Sequence, residues 1–125
     1  MLEVDVVRIS VIVPIYNVKL YIERCVRSLM EQTLENIEFI FVNDCTPDDS
    51  MDILHYVLEE YPKRREQIKI IEHETNRGIS AVRNTGLKNA TGQYIIYCDS
   101  DDWVEKNMYE KLLVKALETS ADIVG

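Results

Sequence analysis

The sequence has few cysteines and glycines, and their placement excludes several classes of protein. Its three cysteines, Cys25, Cys45 and Cys98, lie far apart and form no C-x-x-C pair, which argues against a disulfide framework and a zinc knuckle. We therefore expect reduced thiols that take part in packing. None of the four glycines lies in PIYNVKLY, residues 14–21, so the glycine-rich loops of dinucleotide-binding proteins and P-loop NTPases are absent there.

Basic residues are also too few and too scattered to follow a nucleic acid backbone. The 14 lysines and arginines stand against 22 acids, which gives a net charge of −8, so we expect no nucleic acid partner. The longest apolar run, ISVIVPIY, is far shorter than the ~20 residues that cross a bilayer, and no signal peptide opens the chain. We therefore expect a cytoplasmic protein without a transmembrane segment, formed as one domain over residues 1–125.

Strand-like and helix-like segments alternate along the chain. Apolar, β-branched runs predict strands at 8–14, where Pro14 ends the first, and at 37–42, 68–72 and 94–98. Helical spacing of apolar residues predicts helices over 19–31, 46–61, 80–90 and 107–119, and ADIVG at 121–125 suggests a further strand. This alternation indicates an α/β fold class, a three-layer sandwich with a mostly parallel central sheet.

The last helix has its own predicted orientation. Met108, Leu112, Ala116 and Leu117 recur at helical spacing and are expected to face the sheet.

The polar segments that connect the predicted strands and helices lie at the ends of the strands. In parallel sheets, ligands bind beyond the carboxyl ends of the strands, so those segments are the candidates for a functional site.

The segment DSDDW places three carboxylates, Asp99, Asp101 and Asp102, directly after the fourth strand. Like charges this close raise one another's pKa unless a cation compensates them, and carboxylate oxygens are ligands that Mg²⁺ and Mn²⁺ prefer. Asp99 and Asp101 can share one face of an extended segment. The alternative is that the acids cap the next helix or lie solvated in a turn, which is the commoner role of an isolated D-x-D.

Residues that follow the first two strands can each be interpreted as functional or as structural. Asp44 could accept hydrogen bonds from a base or ribose, whereas Asp48 and Asp49 are better explained as favourable charges at a helix start. Tyr16 could form a flat wall for a ring, although a lone tyrosine is more often a core residue.

The basic residues and histidines near the strand ends carry weaker signals. Arg77 and Arg83 could face phosphate or base, and a surface ion pair is the alternative for each. His55 lies in a helical stripe and His73 in a loop, without a partnered nucleophile, so neither is given a catalytic role. Haloacid-dehalogenase phosphatases also carry a D-x-D, but after the first strand, so DSDDW at residue 99 fits them poorly.

Six spaced motifs occur together from about residue 9 to the last residue: VPIYN, QT, NDCTPDDS, NRGISAVRNTG, A-x-G and DSDD. In this order they resemble the N-terminal half of inverting family 2 glycosyltransferases of the GT-A fold. The resemblance implies that a nucleotide-sugar, most often a UDP-sugar, lies across the strand ends. Pro14, Tyr16 and Asn17 would wall the nucleoside, and Asp44 would contact the base with Arg83 nearby.

The resemblance also implies a metal ion at the acidic turn. Asp99 would approach the ribose and the metal, and Asp101 would coordinate Mn²⁺ or Mg²⁺ bridging the diphosphate, with Asp102 as a supporting carboxylate. The sequence departs mildly from the family pattern of two adjacent acids at the second strand. Asn43 stands in place of the first acid, and Asp44 keeps the second, which is the more important of the two positions.

The activity implied is sugar transfer with inversion to a saccharide or lipid-linked acceptor in cell-surface polysaccharide or lipopolysaccharide synthesis. The protein would be cytoplasmic or peripheral at the inner face of the membrane. The general base is expected beyond Gly125, in an acceptor-binding half absent from residues 1–125, and a homodimer partner is another way to complete the site. The alternative is a truncated nucleotide-sugar-binding module without transferase activity; a purely structural domain would leave the acidic cluster unexplained.

Overall fold

A computed structural model describes residues 7–119, in which four parallel strands form one sheet with helices on both faces. The strands are β1 (Ile9–Ile15), β2 (Ile37–Asn43), β3 (Ile68–Glu72) and β4 (Tyr94–Tyr97). The helices are α1 (Ile22–Met30), α2 (Ser50–Leu58), α3 (Ile79–Asn89) and α4 (Met108–Thr119), with a 3-10 helix at Pro62–Gln67. The predicted parallel α/β architecture is confirmed. The strand suggested at 121–125 lies outside the described residues.

The two central strands, β1 and β2, are almost fully buried because successive side chains enter two different cores. Odd-numbered residues of β1, from Ile9 to Ile15, pack with α1, α2 and α4 on one face of the sheet. Ile12 packs with Val82 of α3 on the other face. A Cβ atom at Gly86 would lie 2.5 Å from Ile12 Cγ2, so the missing side chain allows this close approach of α3 to β1. Burial on both faces explains the continuous hydrophobic runs.

The direction in which the chain crosses the sheet reverses beside β1. The strand order is β3-β2-β1-β4, so the chain moves outward from β1 to β3 and then returns past β2 and β1 to place β4 on the far side. The carboxyl ends of the neighbouring strands β1 and β4 therefore lie side by side at this reversal. Such a reversal opens a crevice, and it brings residues 14–17 beside the acidic turn after β4.

Several element boundaries differ from the sequence predictions. Strand β1 continues through Pro14, where we expected it to end, because β4 ends opposite Ile12 and Pro14 pairs only with Val42 of β2. Helix α1 begins at Ile22, later than predicted, since the N–H groups of Tyr21 and Ile22 both donate to the Val18 carbonyl in a preceding turn.

Helix α2 is shorter at both ends than its hydrophobic pattern suggested. It begins at Ser50 because Thr46 and Asp48 form a local hydrogen-bonded turn, in which the Asp48 carboxylate accepts the Thr46 hydroxyl and the Ser50 N–H. It ends at Leu58, and Pro62 starts the 3-10 helix, which the sequence did not predict.

The predicted inward face of α4 also differs from the observed one, by a rotation of about one residue. Met108 and Leu117 are 39% and 51% exposed, against the prediction. Ala116 is buried and Leu112 packs partly buried against the core, as predicted, while the buried residues Tyr109 and Leu113 were not predicted. The Tyr109 N–H donates to the Gln32 side chain at 3.1 Å, which fixes the rotation of the helix at its first turn.

The A-x-G motif, residues 90–92, precedes β4 and lies at the opposite end of the strands from the acidic turn. The Gly92 N–H donates to Ser10 Oγ, and a Cβ atom there would lie 2.7 Å from the Ser10 main-chain nitrogen. Buried Glu38 accepts hydrogen bonds from the Ser10 hydroxyl and the Thr91 N–H. Burial alone would raise the pKa of Glu38, but these hydrogen bonds and Lys69 hold it below its ordinary value. The motif therefore has a structural role.

Candidate nucleotide and metal site

The acidic turn is held at the sheet reversal by its backbone and by Ser100. The Asp102 N–H donates to the Asp99 carbonyl at 3.0 Å, which closes the turn. Ser100 is buried, and its hydroxyl donates to the Pro14 carbonyl at 2.6 Å. The turn after β4 is thus fixed to the end of β1, the neighbouring strand.

The three carboxylates of this turn point away from the protein's own hydrogen-bonding groups. Carboxylate oxygens of Asp99, Asp101 and Asp102 lie within 4.8 Å of one another, and all three residues are exposed. None of these carboxylates accepts a hydrogen bond from another group within residues 7–119. Clustered hard oxygen ligands without protein partners fit the chemistry of Mg²⁺ or Mn²⁺.

Two buried thiols support the turn from beneath. Cys25 on α1 and Cys98 both donate weakly to the Asp99 main-chain oxygen, at 3.8 and 3.7 Å. A hydrogen bond with Cys98, burial and the nearby carboxylates of Asp101 and Asp102 raise the pKa of the Cys25 thiol. Cys25 therefore stays protonated and adds no negative charge to an already acidic site. Both residues are reduced packing cysteines as predicted, whereas Cys45 is exposed.

A cleft of about 240 Å³ opens between the loops after β1 and β4. Its lining residues come from the ends of both strands and the start of α3: Pro14, Tyr16, Val18, Ile79, Asp99, Ser100 and Asp101. The structure thus brings together four of the residues that the sequence singled out. Tyr16 is 41% exposed, which rules out the core interpretation of this side chain. Ile79, 49% exposed, is a wall residue that sequence reasoning missed.

The loop after β1 is tied to the loop after β2 by a row of hydrogen bonds. Asn17, with φ 55°, donates its N–H to Thr46 Oγ1, and the Lys19 N–H donates to the Asp48 carboxylate. Burial would raise the pKa of Asp48, but hydrogen bonds from Ser50, Thr46 and Lys19 lower it to about 2. The structural role predicted for Asp48 is confirmed.

Asp44 lies deeper than the acidic turn, and three groups of the protein bind its carboxylate. Its carboxylate accepts the N–H groups of Arg77 and Gly78, both at 2.9 Å, and a bond from His73 Nδ1 at 2.8 Å. Burial alone would raise the pKa of Asp44, but these three hydrogen bonds hold it below its ordinary value. Asp44 does not line the cleft; it is linked to the wall through Gly78, the residue before Ile79.

His73 is the residue that sequence reasoning undervalued. Its Nδ1 contacts Asp44 and its Nε2 lies 2.7 Å from Thr85 Oγ1 on α3, two partners that the sequence did not predict for it. In the β2–β3 register Asn43 pairs with Glu72, which places the following residues, Asp44 and His73, side by side; no local signal in the sequence marks this pairing.

The two candidate arginines lie outside the cleft lining. The Arg83 guanidinium stacks over the Tyr97 ring of β4, 5.0 Å from its centroid. Arg77 is exposed and contributes its main-chain N–H to Asp44. Within residues 7–119, no helix has the length and apolar character needed to cross a membrane.

Comparisons with known proteins agree with this geometry. The family model described as "Glycosyl transferase family 2" matches residues 10–125. The chain is 48% identical over 117 residues to "Uncharacterized glycosyltransferase EpsJ" of Bacillus subtilis, covering 94% of this chain and 33% of EpsJ. It is 42% identical over 106 residues to "Minor teichoic acid biosynthesis protein GgaB" of the same species, covering 83% of this chain and 11% of GgaB.

Two solved structures share the fold at appreciable sequence identity. S. aureus TarS in complex with UDP-GlcNAc superposes with a TM-score of 0.77 at 32% identity, covering 89% of this chain and 31% of that one. The mannosyltransferase PcManGT from Pyrobaculum calidifontis, in complex with GDP-Man and Mn²⁺, superposes with a TM-score of 0.72 at 28% identity, covering 77% of this chain and 28% of PcManGT. The chain thus spans about one third or less of the length of each of these relatives.

Proposed function

The chain belongs to glycosyl transferase family 2 and corresponds to the N-terminal half of its GT-A fold, and from this we propose that it forms the nucleotide-sugar-binding half of an inverting glycosyltransferase. The reaction would transfer a sugar from a nucleoside diphosphate to an acceptor hydroxyl in one displacement. The observation that carries the proposal is the set of three exposed carboxylates without protein partners, which borders the cleft at the sheet reversal.

Asp99 and Asp101 are the residues proposed to hold Mn²⁺ or Mg²⁺, because both line the cleft and both offer unpaired carboxylate oxygens. Asp102 would add negative charge beside them. The ion, when bound, would neutralise the diphosphate and stabilise the leaving group as its charge develops. PcManGT was solved in complex with GDP-Man and Mn²⁺, which supports the pairing of an ion with a nucleotide-sugar.

The nucleoside is proposed to lie against the loop after β1. Pro14 and Tyr16 line the cleft, and the exposed Tyr16 ring offers an apolar surface for a base or ribose. Asn17 stands between the lining residues Tyr16 and Val18, and its main-chain bond to Thr46 fixes the loop. Asp44 is proposed to contact the base, with Arg83 nearby.

The acceptor is proposed to be a saccharide or a lipid-linked saccharide of a cell-surface polymer. GgaB is named for minor teichoic acid biosynthesis, which supports a cell-surface polymer as the acceptor. TarS was solved with UDP-GlcNAc, which supports a UDP-sugar as the donor. The general base is proposed to come from outside the described residues, in an acceptor-binding half or a second copy of the chain. Action at the cytoplasmic face of a membrane is part of the same proposal.

Calorimetric titration of UDP- and GDP-sugars, with and without Mn²⁺, tests the proposal. Wild-type protein should bind one of these donors only with the ion, and Asp101→Asn should abolish that binding. Asp52→Asn, which removes an exposed acid of α2 that does not line the cleft, is the matched control. Binding that ignores both the ion and the Asp101 substitution would refute the site.

A transfer assay on the same preparation separates the enzyme from its alternative. Release of nucleoside diphosphate with sugar on an acceptor would support the transferase. Metal-dependent donor binding without any transfer or donor hydrolysis would favour a nucleotide-sugar-binding module.

A further inference from the structure

Three side chains form a hydrogen-bonded chain behind the wall of the cleft. The Asp44 carboxylate lies 2.8 Å from His73 Nδ1, and His73 Nε2 lies 2.7 Å from Thr85 Oγ1. Asp44 and His73 are both buried, and Thr85 is half-buried. The chain therefore joins the ends of β2 and β3 to helix α3 through groups that are largely shielded from water.

The tautomer of a neutral His73 ring follows from its two neighbours. An ionised carboxylate can only accept hydrogen bonds, so the proton between Asp44 and His73 must reside on Nδ1. In the neutral imidazole Nε2 is then an acceptor, and the Thr85 hydroxyl donates to it. Asp44 and Thr85 thus fix both the tautomer and the orientation of the ring.

The other bonds of Asp44 lead directly to the cleft. A carboxylate offers about four acceptor positions, and His73, Arg77 and Gly78 occupy three of them. One position remains for an N–H group from outside the chain. Gly78 is followed by Ile79, which lines the cleft, so the same carboxylate also fixes the wall.

Helix α3 depends on this arrangement for its starting position. Gly78 has φ 93°, in the left-handed region that favours glycine, and no side chain caps the helix. The N–H groups of Arg77 and Gly78 both donate to the Asp44 carboxylate. A shift of Asp44 would therefore move Ile79 and with it one side of the cleft.

We propose that His73 and Thr85 are positioning residues for nucleobase recognition: they hold Asp44, and through Gly78 the Ile79 wall, so that the cleft selects a base with an N–H on its pairing edge. Uracil and guanine present such a group, whereas adenine and cytosine present an acceptor nitrogen at that position. This inference rests on the proposed function, since it concerns how the same nucleotide-sugar is chosen.

The measured quantity is the preference among nucleobases, because a purely structural role of His73 would leave that preference unchanged. UDP, GDP, CDP and ADP are titrated calorimetrically into the full-length protein in the presence of Mn²⁺. Wild type should bind UDP or GDP in preference to CDP and ADP. In His73→Ala the preferred nucleotide should bind about 10- to 100-fold more weakly, the effect of losing a hydrogen bond to a charged group, while the disfavoured ones change little.

Conservative variants sharpen the same measurement. Thr85→Val keeps the side-chain shape but removes the hydroxyl, and it should narrow the base preference by roughly 3- to 10-fold. His73→Asn can donate an amide N–H towards Asp44 and should recover part of the preference. His55→Ala removes the chain's other histidine, an exposed residue of α2, and should bind like wild type.

The outcomes separate this inference from the function on which it rests. If wild type binds no nucleoside diphosphate, the proposed function and the inference both fail. If it shows a base preference that His73→Ala and Thr85→Val retain in full, the inference alone is overturned. Should His73→Ala not fold, Thr85→Val and His73→Asn decide: a narrowed base preference in Thr85→Val is expected, and a base preference that both variants retain in full would overturn the inference.

Discussion

Two aspartate-rich segments follow parallel strands of the same sheet and use their carboxylates in opposite ways. After β2, Asp44 and Asp48 accept hydrogen bonds from within the protein and are pulled below their ordinary pKa values by them. After β4, Asp99, Asp101 and Asp102 are exposed and accept none within residues 7–119. Similar composition at equivalent places in the fold therefore produces a structural segment and a candidate ligand-binding segment.

Local backbone geometry explains this difference. The segment after β2 folds over the starts of α2 and α3, where main-chain N–H groups lack partners and attract carboxylates. The turn after β4 satisfies its own backbone and is anchored by the Ser100 hydroxyl instead. Its carboxylates are therefore left free, and their mutual repulsion is relieved only by solvent or a cation.

The largest expected effect is a difference in the free energy of unfolding between an aspartate variant after β2 and one after β4. Asp44→Ala leaves His73 Nδ1 and two main-chain N–H groups without their acceptor and should lower the free energy of unfolding by about 2–4 kcal/mol. Asp101→Ala should change it by less than about 0.5 kcal/mol, because an exposed group without protein partners is removed. Urea denaturation measures both. Equal losses would mean that Asp101 also has a structural role.

The next effect concerns ion and ligand binding. Mn²⁺ with the preferred nucleoside diphosphate, at about 100 times its dissociation constant, should stabilise wild type by about 2.7 kcal/mol. A thermal melt of Asp101→Ala should show no such shift, whereas the exposed-site control Asp52→Asn should match wild type. Stabilisation that survives in Asp101→Ala would place the ion elsewhere.

A smaller effect depends on pH and on the segment after β2. The pKa of Asp48 is lowered from 3.8 to about 2, so its stabilising contribution is present above about pH 4 and is lost as the pH falls towards 2. Asp48→Asn should cost about 1 kcal/mol at neutral pH, since the group is partly solvent-screened, and should flatten this part of the stability profile. Urea titrations across pH 2–7 test the slope, and an unchanged slope would contradict the assignment.

The smallest effect is expected at Asp49, beside Asp48. Its side chain is exposed and makes no capping hydrogen bond to α2, so only its charge near the helix start contributes. Asp49→Ala should cost about 0.3–0.5 kcal/mol. A cost as large as that of Asp44→Ala would show that the segment responds to any loss of charge.

Much of the fold could be predicted because its signals are local. Residues 68–72 were assigned correctly as β3, and the apolar runs of β1 and β2 indicated strands buried on both faces. Boundaries failed where one side chain competed with a pattern. Asp48 delayed α2, and the bond between the Tyr109 N–H and Gln32 rotated α4 away from its hydrophobic stripe.

The candidate site was predicted in part for the same reason. The strand ends located Pro14, Tyr16, Asp99 and Asp101, which the structure brings to one cleft. Contacts between segments distant in sequence had no local signal: Thr85 lies 12 residues from His73, and Asp44 lies 29 residues from it. Ile79 lines the cleft because α3 begins there, which depends on Asp44 rather than on its own neighbours.

Paramagnetic broadening by Mn²⁺ tests the contrast between the two segments most directly. Trace Mn²⁺ is added to ¹⁵N-labelled protein, and loss of amide signals is mapped along the chain. Signals of residues 99–103 and of the adjoining 14–17 loop should disappear first, while those of 44–50 persist longer. Broadening that begins at residues 44–50, or that spreads evenly over all exposed acids, would contradict a metal site at the turn after β4.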